Sequence, residues 1–487
     1  MANIPRVDQG VIISAQFGGT TIIMIANAAI ARELLDKRGN IYSDRPRMVM
    51  AGENLTKGMH LLLRRYNDQY RLHQRMHASP FSPRASNTYY PLQDLESKQL
   101  LYDFLKTNDF QKLFDCYSAS LVYSLAYGYR LHTGDEDELK DAHLVEENWA
   151  YVGRVGTWIV DALPFLNVLP APLAPWKRTT KKERAVQQGV ELEQGVLCLK
   201  EAEQMTELEL AYSVGVLADA GLDTTSVQMR VFTLAALAYP DFVRKAQKEL
   251  DEVVGPDRLP TLDDKKNLPY IVAIVEEQFR WRSIVLGGIP HATMQEDTYM
   301  GYRIPKGATV VGLHWAMSLD EKVFDRPMEF LPERWLEEKK PENTDQQEQC
   351  FVNFFGYGRR ICTGRHIARN SIFLLIARLL WGYNIKHAVD RDGKRIEVDD
   401  MAFTSGFASS PLPFEAVFEP RSEHAKAVIE REWETAEKDV DVLLNSIREN
   451  QVSMGMNRIK DFILGTGLAR VESVAANFLS FISYQGY

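Results

Sequence analysis

The sequence predicts a mainly α protein with a minor β region, and three observations predict it. From about Asp94 to Ala126 and from Thr206 to Val254, apolar residues recur at three- and four-residue spacing, the period of helices buried along one face. Near the start, "GVIISAQFGGTTIIMIAN" is β-branched on both sides of a Gly-Gly pair, the pattern of two strands and a turn. Elsewhere, loops rich in proline and glycine cut the chain, as in "DALPFLNVLPAPLAPWK", "VGPDRLPTLDDKKNLP" and "IPKGATVVG".

Taken in order, the strand pair is followed by "AAIARELLDKRG", which reads as a helix closed by Gly39. The two long helical stretches follow, and an apolar helix fills "RHIARNSIFLLIARLLW". No internal repeat or low-complexity segment interrupts them. One domain is expected over residues 1–420. Residues 421–487, with "SEHAKAVIEREWETAEKDVDVLLNSIREN", read as a charged, mostly helical extension.

Bulk properties narrow the function. With 487 residues, 45% of them hydrophobic and 25% charged, the chain can bury a large core. Its net charge of -9 argues against nucleic acid as the main partner. Cys116, Cys198, Cys350 and Cys362 form no CxxC pair, so a reducing compartment fits better than a disulfide scaffold. The apolar run "TTIIMIANAAIA" falls short of the roughly 18 residues a membrane-spanning helix needs. The first residues, "MANIPRVDQG", lack the regions of a signal peptide, so the chain as given is expected to be soluble or peripheral.

One cysteine stands in an unusual place. In "FFGYGRRICTGRHIARNSIFLLIARLLW", residues 354–381, Cys362 lies in a loop rich in glycine and arginine at the mouth of the apolar helix. Backbone N–H groups and the helix dipole favour a thiolate there. Gly356, Gly358 and Gly364 let the loop amides approach the sulfur, and Arg360 offers a fork of donors suited to a carboxylate. For a lone cysteine three other readings compete: a structural thiol, a nucleophile, or a zinc ligand with His366 that would need further ligands such as Cys350.

The spaced set F-x-x-G-x-R-x-C-x-G, filled by Phe355, Gly358, Arg360, Cys362 and Gly364, is more specific than any of these. It resembles the cysteine-ligand loop of the cytochrome P-450 superfamily, the haem-thiolate monooxygenases. The resemblance implies the P-450 fold, a helical haem domain with small sheets. It also implies haem b (iron protoporphyrin IX), with Cys362 as the axial thiolate that favours O–O cleavage.

Other motifs follow the same family's order. "ADAGLDTTS", residues 218–226, breaks a helical pattern with Gly221 and with polar residues that compete for backbone bonds. It resembles the oxygen-activating helix, which implies that Thr224 hydrogen-bonds dioxygen and Asp223 helps deliver protons. "EQFR" sets Glu277 one turn from Arg280, and "FLPERW" supplies Arg334. In the family these three form a buried charge triad beneath the haem. "GGIPHAT" places His291 where relatives bind a haem propionate, although alone it reads as an ordinary surface histidine. The resemblance covers roughly Gly10 to Pro420, and wording such as "YSDRPRMVMAGE" and "NLPYIVAIVEEQFRWR" is most like fungal members of secondary metabolism.

Three departures stand out. The family's membrane anchor, proline-rich hinge and first helix are missing before the first strand. Only about thirty residues, or ~45 Å of helix, separate Trp176 from Glu207, so a reduced pocket roof is expected. "YRLHQR" puts Tyr70 and Gln74 where the family has a tryptophan and an arginine gripping a propionate. With no nucleotide-binding loop in the sequence, electrons are expected from NADPH through a separate NADPH-cytochrome P-450 reductase. Arg359, Arg365 and Arg369 around the loop suit its docking. The expected protein is a monomer at the cytosolic face of the endoplasmic reticulum by resemblance. It would insert oxygen from O2 into a small apolar substrate; oxidative coupling, desaturation, or a haem-binding homologue with impaired catalysis are the alternatives.

Overall fold

Thr206 opens the longest helix with a reciprocal cap: its hydroxyl accepts from Glu209 N–H, and the Glu209 carboxylate accepts from Thr206 N–H. The computed structural model describes residues 11–17, 19–154, 156–179, 204–336, 354–406 and 408–456. Its longer helices are α1 (Asp68–Ala78), α2 (Tyr90–Phe104), α3 (Phe110–Tyr127), α4 (Asp137–Val152), α5 (Glu207–Ala238), α6 (Pro240–Val253), α7 (Pro269–Trp281), α8 (Arg365–Gly382), α9 (Glu423–Glu434) and α10 (Val440–Ser453). The mainly helical architecture expected from the sequence is the one observed.

At 32 residues, α5 is about 48 Å long and crosses the molecule. It lies directly on α3. A Cβ at Gly221 would sit 2.5 Å from Val122 Cγ2, so the glycine that weakens this helix also permits the close approach. Beneath, α8 is buried on every face from Asn370 to Gly382, and its Phe373, Leu375, Ile376 and Leu380 share one core with α2, α3, α5, α6 and α7.

The β region is small. Strands β1 (Ile12–Phe17) and β2 (Thr20–Ile25) form the expected hairpin, with Ile12 opposite Ile25. The other strands are β3 (His291–Ala292), β4 (Asp297–Tyr299), β5 (Tyr302–Ile304), β6 (Thr309–Gly312), β7 (Tyr383–His387) and β8 (Ala416–Pro420). One sheet has the order β1-β2-β6-β3, in which β2 and β6 run parallel; β4-β5 and β7-β8 are separate pairs. The helix expected after β2 needs correction. It starts as an α-turn at Ala28–Ala31, widens to a π-helix over Arg32–Lys37, and Gly39 begins the next short helix rather than closing this one.

The charged extension folds onto the helical body. Ala425, Val428 and Ile429 of α9 and Leu443, Leu444 and Ile447 of α10 enter the main core, and Trp433 stacks on Tyr102 at 5.7 Å. Among the described residues no helix is long and apolar enough to cross a membrane. Cys198, Cys350, most of the stretch after Trp176 and the end of the extension lie outside the described residues.

Candidate functional site

The cysteine loop is shaped by its glycines. Gly356 and Gly358 have φ of +86° and +53°, and a Cβ on Gly358 would collide with the Leu35 carbonyl. Gly358 N–H donates to Asp36, and Cys362 N–H donates to the Phe355 carbonyl at 2.8 Å, which folds the loop back at the start of α8. Cys362 is open to solvent although protein crowds it. Enclosure pushes its thiol up, while the N–H groups of Gly364 and Arg365 and the Arg365 charge pull it down. The net direction is upward. The loop alone therefore does not prepare an anion, and a bound cation is what deprotonates such a sulfur. Among the described residues no group of three or more His, Cys, Asp or Glu side chains could hold a metal. A single free thiol suits an axial ligand better than a zinc site.

Beside the loop, a cationic cluster is buried with no acid bonded to it, and Asp44 acts on Arg45 and Arg360 only through its charge. Arg360 donates to the carbonyls of Ser43 at 2.8 Å, Arg64 at 2.7 Å and Leu61 at 3.5 Å. Its guanidinium lies 3.6 Å over the Tyr70 ring. Arg45 is buried next to it, bonded to the carbonyls of Leu62 and Pro290. Burial and then Arg360 lower Arg45 to about 9. His291 in β3 gives its Nδ1 side to the Tyr42 carbonyl at 2.7 Å, and burial and then Arg45 hold it well below its ordinary value. It is a buried histidine, not the surface residue that sequence alone suggested. Asp44, the nearest carboxylate in sequence, is bonded to Arg65 and to Tyr66 N–H. Two buried guanidiniums with no free acid fit a ligand that brings its own carboxylates, as haem does.

Helix α1 meets the same loop. Tyr70 donates to the Arg359 carbonyl at 2.8 Å and Gln74 to the same oxygen at 2.9 Å. Arg71 pairs with Asp68 at the surface, and Arg75 is exposed. Phe355 packs on Phe279 of α7 at 5.0 Å, and Arg369 covers both rings while it pairs with Glu276. That pairing removes Arg369 from the basic patch read in the sequence.

The charge triad is fully assembled. Arg280 reaches Glu277 at 2.7 and 2.8 Å, Arg334 reaches it at 3.1 Å, and Glu277 and Arg280 are 0% exposed. Leu331 N–H and Trp335 Nε1 also donate to Glu277.

On α5, Thr224 is exposed and donates to the Ala220 carbonyl at 2.9 Å. Asp223 turns toward α4, where His143 Nε2 lies 3.7 Å from its Oδ1. The structure thus joins Cys362, Phe355, Arg360, Tyr70 and His291 through one loop and its neighbours, with Thr224 and Asp223 on the helix packed against α8. Sequence reasoning missed Arg45, His143 and Trp335. Only the arginine in "SDRP" and the tryptophan in "PERW" stood next to residues already singled out.

The comparisons with known proteins point to one family. Residues 7–417 match the Cytochrome P450 family. The chain belongs to that family. It is an oxidoreductase of the monooxygenase kind, and its cofactor is haem. Similar proteins include "Cytochrome P450 monooxygenase drtD" of Aspergillus calidoustus, 39% identical over 455 residues that cover 89% of this chain and 84% of that protein. Another is "Cytochrome P450 monooxygenase aneD" of Aspergillus aculeatus, 38% identical with 90% and 87% covered. "Echilunin cytochrome P450 monooxygenase" of Aspergillus ruber is 36% identical with 92% and 85% covered.

Proposed function

We propose that this P450 inserts one atom of O2 into a small apolar molecule of fungal secondary metabolism, with electrons from an NADPH-dependent flavin reductase. Haem, when bound, supplies the activation of oxygen. The chain's own residues hold it and manage protons. Cys362 would hold the iron through its sulfur, with Phe355, Gly358 and Gly364 fixing the loop around it. Arg360, Arg45 and His291 would take up the carboxylates, and Tyr70 would orient Arg360 through its ring. Thr224 and Asp223 would hold and pass a proton.

The observation that carries this reading is an accessible Cys362 two residues from a buried guanidinium cluster that bonds to no acid. Kinship with fungal monooxygenases supports the substrate class, since the name of one relative ties it to echilunin. Arg359 and Arg365 at the loop suit an acidic flavoprotein partner. The protein would act as a monomer at the cytosolic face of the endoplasmic reticulum. The decisive experiment pairs carbon monoxide spectra with product analysis in a reductase-supplied host. Reduced protein should give the red-shifted thiolate band, Cys362→Ala should abolish it, and product should require both proteins. An unchanged band in Cys362→Ala would end this reading.

A further inference from the structure

Asp223 stands where three elements meet, and its neighbours impose opposite demands on it. From α4, His143 approaches it at 3.7 Å, with 39% of the His143 side chain and 38% of the Asp223 side chain exposed. From α3, Asp115 faces the same carboxylate but already accepts from Ser226 Oγ and from Arg230. From α5 itself, Asp219 lies one turn earlier, at the i,i+4 spacing that makes side chains neighbours. Enclosure, and then the charge of Asp223, push Asp219 up to about 7. Asp223 therefore has a solvent-facing imidazole on one side and a carboxyl that favours its proton on the other. Thr224 is the next residue of the helix and is exposed.

We propose that His143 is the proton port of α5, passing a proton from its Nε2 to Asp223 Oδ1, while Asp219, one turn earlier on the same helix, acts through Asp223 as its carboxyl neighbour. The step balances without electron transfer. One N–H bond breaks at His143, one O–H bond forms at Asp223, and the imidazole takes its next proton from water. Asp223 then gives its proton to Thr224 Oγ1 as Thr224, turned from the Ala220 carbonyl, gives its own hydroxyl proton onward to the reacting oxygen, so that one O–H bond forms and one breaks at Oγ1. At 3.7 Å the first transfer needs a small side-chain rotation or one bridging water. A histidine suits the task, because one imidazole nitrogen can donate a proton while the other accepts one. Asp219 and His143 are positioning residues in this scheme, which rests on the reading of Asp223 and Thr224 as the proton-handling pair.

The test uses the haem-loaded protein with four variants, H143Q, D219N, D223N and T224A. Histidine-selective NMR of the diamagnetic carbon monoxide complex, with His143 assigned by its loss in H143Q, reads the contact between the two side chains. The expected result is a His143 ring resonance that moves in D223N, because the carboxylate lies 3.7 Å from its Nε2. Infrared spectra at neutral pH should show a protonated carboxyl band that D219N loses. Product per NADPH should fall in H143Q. If H143Q keeps the wild-type product per NADPH and the His143 resonance ignores D223N, the port is wrong even when T224A diverts electrons to peroxide. A carboxyl band unchanged in D219N overturns the role of Asp219. If T224A itself leaves product per NADPH intact, the reading of Thr224 and Asp223 fails instead.

Discussion

Two groups of buried arginines in this molecule solve the same electrostatic problem in opposite ways. Arg280 and Arg334 close on Glu277, and the remaining donors of Arg280 reach the carbonyls of Ser318, Pro327 and Glu329. Arg45 and Arg360 reach only carbonyls, and Asp44 beside them is committed to Arg65. A closed group stabilises the fold whatever is bound. An open group keeps a positive potential that only a ligand anion offsets, so its value appears on binding. The difference teaches where to separate structure from function among buried charges that look alike in sequence.

The largest effect should come from breaking the closed group. Glu277→Gln leaves Arg280 and Arg334 without their counter-charge, a cost of about 3 to 5 kcal/mol. Urea unfolding should show that loss in haem-free and haem-loaded protein alike. A fall seen only in the loaded protein would make the triad part of the haem site and erase the contrast.

Removing a member of the open group should act differently. Arg360→Ala relieves an uncompensated buried charge while freeing three carbonyls, so the stability of haem-free protein should change little. Haem retention should drop, because a charged hydrogen bond contributes roughly 1.5 to 3 kcal/mol, about tenfold or more in affinity. The ratio of haem to protein absorbance after identical purification measures it. Arg45→Ala should behave alike. Equal destabilisation of haem-free protein by Arg360→Ala and Glu277→Gln would break the comparison.

The contrast also explains what the sequence could disclose. The cysteine loop is legible because its function fixes residue type and spacing within ten residues, and the long helices because their apolar period is local. Arg45 is not legible, since its burial depends on Ile289 and Pro290, far away in the chain. His143 sits in the polar run "DELKDAHLVEENW" and gains meaning only when α4 crosses α5. The π-turn at Arg32–Lys37 escaped for the same reason. Arg38, which ends it, is held by Asp297 at 3.0 Å, a partner from the second half of the chain that no local capping rule contains.

Acid should distinguish the groups further. Burial and Arg45 lower His291, so its folded value is below the ordinary 6.5. Its neutral form thus contributes stability above about pH 6.5, and that contribution fades as pH falls toward the folded value, by up to about 2 kcal/mol at pH 5. Haem carboxylates would raise His291 and reduce the loss. His73 and His77, lowered by burial to about 4 and about 3, add the same fall to every variant. The relevant measurement is therefore wild type against His291→Gln, unfolded at pH 7 and pH 5 with and without haem. His291→Gln should narrow the acid loss of the haem-free protein and leave the loaded protein nearly unchanged. An equal effect in both forms would show that the cluster is not open.

The smallest expected effect adds a charge where the family has one. Gln74 donates to the Arg359 carbonyl beside Tyr70, and it is only partly buried. Gln74→Arg would bring a third guanidinium to the edge of a group that already lacks an acid. Without haem this should lower stability slightly by like-charge repulsion. With haem the added donor should raise retention, by about 1 kcal/mol or roughly fivefold at so exposed a site. The surroundings of α1 sharpen the control. Arg71 is held by Asp68 at the surface, and Arg75 points outward, so Arg71→Ala and Arg75→Ala should leave haem retention unchanged. If either strips the haem while Gln74→Arg does nothing, a neighbouring arginine already serves the carboxylates. The open group would then be larger than Arg45 and Arg360, and Tyr70 and Gln74 would not stand where the family's tryptophan and arginine do.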